Sequence, residues 1–451
     1  MEEIKNGLEK LKIAISNIIE PYTSLHEYLT LLETTGILIH DLVESDPMIY
    51  ANPYFENFII SEITNLLGEQ IQELIPYNII ENIVNEALII FYTYISPRRS
   101  YKNSFIRIKP NVSMMKNKIL YLKNIPQPEQ RTDEWYKFRY KYLTASSIWK
   151  AFGSQSSVNQ LIYDKCKPLN ISKYKTVNIN SPLHWGQKYE PISILWYENE
   201  YNTVVSDFGC LPHKDIPFLA ASPDGINTYN NNSRFGRMVE VKNIVNRIID
   251  GIPKMEYWIQ MQIQMEVCNL NECDFLETRF IEYENENEFL NDGTFRYTKD
   301  GKPKGIIMYF IKDGQPHYEY SPWNINKTNF NEWEETMMKK HSNLLWMHNI
   351  YWRLDQVSCV LVLRNKYWFN IAKDKLYKIW KIIEKERISG YNHRAPNKRI
   401  SHNNILKIKK CCIDINSLLI DNEITKPKVI EDNSTKIIEI NTQILEDTTS
   451  L

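Results

Sequence analysis

Glycine is scarce in this chain, with 14 residues in 451, which is well below the usual frequency of ~7%. Collagen-like and other glycine-rich architectures are therefore excluded. No apolar run approaches the ~18 residues that a membrane-spanning helix needs, and the acidic start Met1-Glu2-Glu3 does not resemble a signal peptide. We expect a soluble protein without a membrane partner.

Excess charge and paired cysteines are also lacking. The 7 cysteines are an odd number spread over a long chain, which favours reduced thiols in an intracellular compartment over a disulfide framework. The formal net charge is −1. Any binding of nucleic acid therefore depends on local concentrations of basic residues.

The composition nevertheless supports folded cores, because 43% of the residues are hydrophobic and 12% are aromatic. At ~150 residues per domain, the length favours about three domains. We predict a helical N-terminal domain with a basic linker over residues 1–125 and a core over residues 126–320. C-terminal helices packing on the core (321–400) and a weakly packed tail (401–451) follow.

The central part of the chain alternates between two hydrophobic periods. A period near 3.6 predicts helices over residues 133–152, 182–201, 253–268, 330–346 and 373–388. A period of 2, with turn residues between the segments, predicts strands over residues 204–210, 218–222, 237–242, 272–282, 305–311 and 357–363. This mixture favours the α/β class.

One pair of predicted strands carries the residues best suited to chemistry. Alternate side chains of a strand share a face, so Glu240 and Lys242 point the same way. If strands 218–222 and 237–242 form a hairpin, Asp224 lies beside Glu240. A divalent cation with oxygen ligands, Mg²⁺ or Mn²⁺, holds two such carboxylates ionised. With a lysine to orient water, this set favours phosphodiester hydrolysis.

The same three residues also fit a structure without catalysis. Pro223-Asp224-Gly225 is a common turn sequence, and alternating Glu and Lys are typical of a solvated strand face. The flanking segments favour the catalytic interpretation.

Five short motifs follow one another along the chain. They are Arg139 with Thr144-Ala145-Ser146, the segment from His184 to Glu190, Ser222-Pro223-Asp224-Gly225, Glu240-Val241-Lys242, and the segment from Tyr257 to Gln262. In this order they resemble the phage λ exonuclease and YqaJ-type viral recombinase nucleases. These belong to the PD-(D/E)xK superfamily, together with the RecB-like nucleases of CRISPR systems. The resemblance covers residues 130–285.

The resemblance implies a metal site. Asp224 and Glu240 correspond to the paired metal ligands, and the backbone carbonyl of Val241 corresponds to a further ligand. Glu190 resembles an additional acidic ligand, although it also fits the exposed face of an amphipathic helix. Lys242 resembles the residue that positions the attacking water.

The resemblance also implies contacts with DNA. Gln260, a catalytic residue in the family, and Tyr257 correspond to positions near the metal-bound waters and the scissile phosphate, but both also fit simple packing. Arg139 and Ser146 correspond to residues that hold a 5′-terminal phosphate. A solvated or backbone-binding basic face explains Arg139 nearly as well, since two further lysines lie beside it: Lys137 and Lys141.

The implied fold is a PD-(D/E)xK restriction-endonuclease-like α/β core, a mixed central sheet flanked by helices, with helical regions added at both ends. The implied enzyme is a Mg²⁺- or Mn²⁺-dependent deoxyribonuclease, most simply a 5′-to-3′ exonuclease on duplex ends for recombination, repair or defence. A structure- or strand-selective DNA endonuclease, an RNA endonuclease, and a DNA-end-binding recombination scaffold with a vestigial metal site stay open. We predict no zinc and no iron–sulfur cluster, because Cys268 and Cys273 have no third cysteine nearby.

The long N-terminal region and the abundance of Asn, Ile and Lys resemble a giant-virus, mimivirus-type member of the family. The expected partners are DNA, further copies of the chain in a dimer or trimer, and a helicase or strand-annealing protein. The expected location is intracellular, in the host cytoplasm, the viral factory or the virion. Basic runs at residues 98–109, 131–141 and 394–410 are the predicted track for DNA.

Overall fold

The computed structural model of the protein describes residues 24–71, 73–171 and 178–396. The predicted tail 401–451 and the helical periodicity of residues 8–19 lie outside the described residues. In the ranges described, every helix is too short or too polar to pass through a bilayer.

The described residues contain both helices and strands, as the sequence predicts. In chain order, the helices are α1 Leu25–Ser45, α2 Pro47–Ala51, α3 Phe55–Ile71, α4 Tyr77–Tyr94, α5 Val112–Asn124, α6 Asp133–Tyr140, α7 Ala145–Ile148, α8 Gln155–Cys166, α9 Pro182–Tyr201, α10 Met255–Cys268, α11 Glu286–Asn291, α12 Lys327–Lys340 and α13 Lys366–Ser389. The strands are β1 Leu143–Thr144, β2 Val205–Ser206, β3 Leu211–Pro212, β4 Leu219–Ala221, β5 Gly225–Asn227, β6 Met238–Asn243, β7 Glu272–Glu282, β8 Lys304–Lys312, β9 Gln315–Tyr320 and β10 Leu345–Leu363.

The strands form two sheets. The larger sheet has the order β2-β5-β6-β7-β10-β8-β9, in which β6 and β7 are parallel and the other neighbours are antiparallel. A parallel pair needs a crossover connection, and α10 provides it between β6 and β7. The smaller sheet, β1-β4-β3, lies in the segment before the β5–β6 hairpin. The expected mixed α/β class with helices around a central sheet is confirmed.

Two helices cover opposite faces of β6. Tyr197 of α9 packs with Val239 and Val241 in one apolar cluster. Gln260 and Gln264 of α10 instead reach Glu240. The alternation predicted for this strand is therefore confirmed, with its apolar side chains toward α9 and its charged side chains toward α10.

Some segments differ from the predicted elements. Only Val205 and Ser206 form a strand within 204–210, and the predicted helix 133–152 divides into α6, β1 and α7 followed by a short 3₁₀ turn. The predicted helix 330–346 ends at Lys340, because residues 345 and 346 pair with β8 as the start of β10. Pairing with a strand distant in sequence overrides helical periodicity here.

The strand predicted at residues 357–363 is the end of the much longer β10. Its last part pairs with β7 and its first part with β8, with a register shift in each ladder. The region predicted to supply C-terminal helices thus also supplies a central strand of the sheet.

A cluster of tryptophans joins the helices on the α10 side. Trp368 of α13 is fully buried, and its indole N–H donates to the carbonyl of Pro47 at 3.0 Å. Its ring meets that of Trp258 edge-on, with centroids 5.1 Å apart. Tyr50 of α2 also contacts Trp258, with tilted rings whose centroids lie 5.6 Å apart. Helices from both ends of the described chain therefore support α10.

Replacing Trp368 with alanine should therefore lower the free energy of unfolding by about 3–5 kcal/mol, the usual cost of deleting a buried aromatic side chain. Urea denaturation followed by circular dichroism measures this change. Ile388→Ala on the same helix is the control, because Ile388 is 91% exposed. Equal stability of the two variants would contradict the role of Trp368.

Candidate active site

An antiparallel hairpin with a long connection, residues 228–237, places Asp224 beside β6. Strand β5 pairs antiparallel with β6 through Gly225 and Val239, and Oδ2 of Asp224 accepts a hydrogen bond from the N–H of Val241 at 2.8 Å. A Cβ at Gly225 would lie 2.2 Å from Cγ1 of Val205, so this position requires glycine. The predicted partner of β6 needs a correction, because residues 219–221 belong to the smaller sheet and residues 225–227 form the hairpin.

Glu240 is the fully buried centre of the site. Its Oε1 accepts hydrogen bonds from the ammonium group of Lys242 and from the side-chain amide of Gln260, the latter at 2.6 Å. Its Oε2 accepts from the amide of Gln264 at 2.7 Å. These donors stabilise a carboxylate that would otherwise be costly to bury.

Gln264 is a site residue that the motif-based analysis missed. Its amide also donates to the carbonyl of Ser222 at 3.1 Å, so it joins Glu240 to the segment that leads into Asp224. A signal was present in the sequence, because Gln264 lies one helical turn after Gln260 and therefore on the same helix face.

Lys242 lies between charged and aromatic groups. Burial lowers its pKa, but the nearby carboxylates of Glu240 and Asp224 outweigh that effect, and its pKa is raised overall. Its Nζ lies 5.1 Å from the ring centroid of Tyr257, and the guanidinium of Arg247 lies 5.7 Å from the same ring. Tyr257 is thus close to the carboxylate site. Its ring faces two cations, and each of them is also paired with a buried carboxylate.

Asp224 and Glu190 lie close enough to Glu240 that negative charge accumulates at the site. Burial raises the pKa of Asp224, and the neighbouring Glu240 raises it further. The pKa of Glu190 is also raised overall. Burial raises this pKa most, the nearby Arg131 lowers it, and Glu240 raises it. Arg131 approaches Glu190 to 3.9 Å. A divalent cation would relieve this excess, so the donor set fits Mg²⁺ or Mn²⁺.

The three carboxylates are not packed tightly around one point. Among the residues described, oxygens of Glu190, Asp224 and Glu240 do not all lie within 4.8 Å of one another. Mg²⁺ commonly keeps several waters and uses one or two protein carboxylates, so this openness is compatible with it. The carbonyl of Val241 remains a predicted ligand, while its N–H holds Asp224.

Arg139 lies in a polar pocket next to this site. Its guanidinium donates to the hydroxyl of Ser146 at 3.0 Å and to that of Ser222 at 3.4 Å, and it stacks on Trp135 with 4.2 Å to the ring centroid. Ser222 precedes Asp224 by two residues, so one short segment contributes to both the pocket and the carboxylate site. The structure brings Arg139 and Ser146 together as predicted and adds Ser222.

Lys137 and Lys141 are exposed at the surface around this pocket. Lys137 lies within α6, and Lys141 follows its last residue. They remain predicted DNA contacts.

The mixed sheet and the arrangement of Asp224, Glu240 and Lys242 agree with the PD-(D/E)xK-type core that the sequence motifs resemble. Residues 134–271 match the family model of the YqaJ-like viral recombinase domain. This match confirms, for that segment, the resemblance drawn from the motifs.

An uncharacterized protein of Acanthamoeba polyphaga mimivirus is 31% identical to the chain over 327 residues, which are 64% of this chain and 57% of the relative. The chain thus spans little more than half of that relative's length, and the relative agrees with the resemblance to giant-virus members.

Two solved structures of an alkaline exonuclease from Laribacter hongkongensis, one of them in complex with dAMP, also match part of the chain. They are 18% and 19% identical, each covers 57% of this chain and 94% of its own, and each has a TM-score of 0.34.

Replacing Asp224 with asparagine should stabilise the metal-free protein by about 1–2 kcal/mol, a common gain when a functional site is relieved of strain. Asparagine can still accept the hydrogen bond from Val241 but removes one of the crowded charges. Thermal unfolding in EDTA measures the effect, and Asp215→Asn at an exposed aspartate is the control. A lower melting temperature for Asp224→Asn would contradict the charge excess described above.

Proposed function

We propose that the protein is a metal-dependent DNA nuclease that hydrolyses phosphodiester bonds, most simply as a 5′-to-3′ exonuclease on duplex ends. The observation that carries this proposal is the convergence of Asp224, Glu240, Lys242 and Gln260 at one point. That point lies within the segment that matches the YqaJ-like viral recombinase domain.

The chain's own residues support a hydrolytic mechanism. Asp224, Glu240 and Glu190 would hold Mg²⁺ or Mn²⁺, which supplies stabilisation of the charge that develops on the phosphate. The ammonium of Lys242 is a donor only, so it holds the attacking water by its oxygen and points the hydrogen atoms away. Gln260 and Gln264 fix the orientation of Glu240 through both of its oxygens.

The pocket of Arg139, Ser146 and Ser222 supports the choice of DNA ends as substrate. A guanidinium with hydroxyl groups beside it matches the oxygens of a terminal phosphate. The aromatic face of Trp135 holds the guanidinium plane. A phosphate bound there would place the first nucleotides toward Asp224, because Ser222 belongs to the same short segment.

The further partners remain part of the proposal. They are other copies of the chain in a dimer or trimer and a helicase or strand-annealing protein. The division into an N-terminal domain, a nuclease core and C-terminal helices also remains proposed.

Substitution of Lys242 by alanine should lower the hydrolysis rate by at least about 100-fold, the range seen when a residue that stabilises or positions charge is removed. The assay follows release of nucleotides from 5′-phosphorylated duplex DNA with Mg²⁺, Mn²⁺ or EDTA. Lys214→Ala, at an exposed lysine, is the matched control for the substitution. Loss of activity in Lys242→Ala, purified in the same way, excludes a contaminating nuclease. Full activity of Lys242→Ala would refute the site, and binding without hydrolysis by the unaltered protein would favour the scaffold alternative.

Substitution of Arg139 by alanine should abolish preference for 5′-phosphorylated over 5′-hydroxyl ends, because the terminal phosphate loses its bidentate partner. Arg139→Lys should restore the preference only in part, since an ammonium keeps the charge without the planar fork. Lys214→Ala, at an exposed lysine outside the predicted DNA contacts, is the control. Equal cleavage of 5′-phosphorylated, 5′-hydroxyl and circular DNA by the unaltered protein would instead indicate an endonuclease, and cleavage of RNA would widen the substrate class.

A further inference from the structure

A second group of ligand-type side chains lies at the far edge of the large sheet. His317 and Glu319 project from the same face of β9, being two residues apart on a strand, and His341 follows the last residue of α12. One ligand atom from each residue lies within 4.8 Å of the other two. Among the described residues, this is the one group of three or more His, Cys, Asp or Glu side chains with ligand atoms that close together.

The three side chains are arranged around one carboxylate oxygen. Oε1 of Glu319 lies 3.7 Å from Nε2 of His317 and 2.5 Å from Nε2 of His341. The two imidazole rings have centroids 4.9 Å apart. Donor atoms that share a tetrahedral ion at bond lengths of ~2.0–2.1 Å are about 3.4 Å apart, so small side-chain rotations complete the geometry.

The Nε2 atom of His317 marks this cluster as incomplete. It is buried and has no hydrogen-bond partner, although buried polar atoms are nearly always paired.

We propose that His317, Glu319 and His341 bind a Zn²⁺ ion, with water or a further ligand in the fourth position. Two imidazoles and one carboxylate form a donor set typical of zinc, whereas Mg²⁺ prefers oxygen ligands throughout. This inference is independent of the proposed nuclease and replaces the sequence-based expectation of no zinc, which rested on cysteines alone.

The proposed zinc site is separate from the carboxylate site. Strands β7, β10 and β8 lie between β6 and β9 in the sheet, which at ~4.8 Å per strand puts the two strands about 19 Å apart. Zinc bound to these residues would join the edge strand β9 to the end of α12. It would therefore stabilise the hairpin that ends the sheet and protect its edge from pairing with another chain.

An ion pair competes with the metal. Nζ of Lys340 donates to Oε1 of Glu319 at 2.8 Å, and its side chain is 55% exposed. Its long, solvated chain can leave the carboxylate at little cost. Removing this cation should consequently strengthen zinc binding, whereas a purely structural ion pair would simply be lost.

The test is calorimetric titration of the chelator-stripped, full-length protein with Zn²⁺. An excess of Mg²⁺ competes with Zn²⁺ for the carboxylate site. We expect one zinc per chain, at least tenfold weaker binding in His317→Gln and in His341→Gln, and several-fold tighter binding in Lys340→Met. The matched control is His348→Gln. His348 is an exposed histidine whose strand partner is Tyr309 of β8, whereas the strand partner of His317 is the next residue, Phe310. Since neighbouring residues of a strand face opposite sides of the sheet, His348 lies on the side away from the proposed zinc site.

A spectroscopic readout separates the two metal sites. Co²⁺ in place of Zn²⁺ should give the intense visible absorption of a low-coordinate nitrogen and oxygen site. That absorption should persist in Asp224→Asn and disappear in His341→Gln. Absence of zinc binding in the unaltered protein, or binding by the histidine variants that is as tight as that of the unaltered protein, would overturn the proposal. Circular dichroism verifies that each variant is folded.

Discussion

The burial of Glu240 is the constraint on which the centre of this protein depends. A carboxylate without exposure inside a sheet is costly unless donors surround it. Lys242 supplies a positive charge from the same strand, and Gln260 and Gln264 supply two amides from the helix across it. The alternation of β6 and the position of α10 over it are therefore requirements of one charge. Trp368 of α13 and Tyr50 of α2 support α10 through its own Trp258.

Not every buried charge in the sheet has this character. Asp274 of β7 is also fully buried, but it is paired with Arg234 and Arg237 and bonded to the hydroxyls of Ser104 and Tyr197. Its negative charge is thus balanced within the protein. Around Glu240 the balance is different, since the pKa values of neighbouring acids are raised by burial and by one another. Such imbalance favours a ligand rather than a structural role.

The arrangement around Glu240 could be predicted from the sequence in part. Strand alternation placed Glu240 and Lys242 on one face, and turn residues placed Asp224 nearby. The exact hairpin was beyond such reasoning, because residues 219–221 and 225–227 are two short segments and either could pair with β6. The length of β10 was also hidden, since its first residues continue the periodicity of the preceding helix. Tertiary pairing decides both cases, and a single sequence contains no direct record of it.

The same limit explains why a cysteine-based search overlooked the histidines. His317 and His341 belong to a strand and a helix end, and only the packing of α12 beside β9 makes them neighbours. Once together, their donor atoms differ in kind from those at Glu240. Oxygen-only ligands favour Mg²⁺, while imidazole nitrogens favour zinc. On these proposals one sheet holds two ions of different preference, one beside the inner strand β6 and one at the edge strand β9. The chemistry of the ligands, rather than distance alone, then prevents the ions from exchanging places.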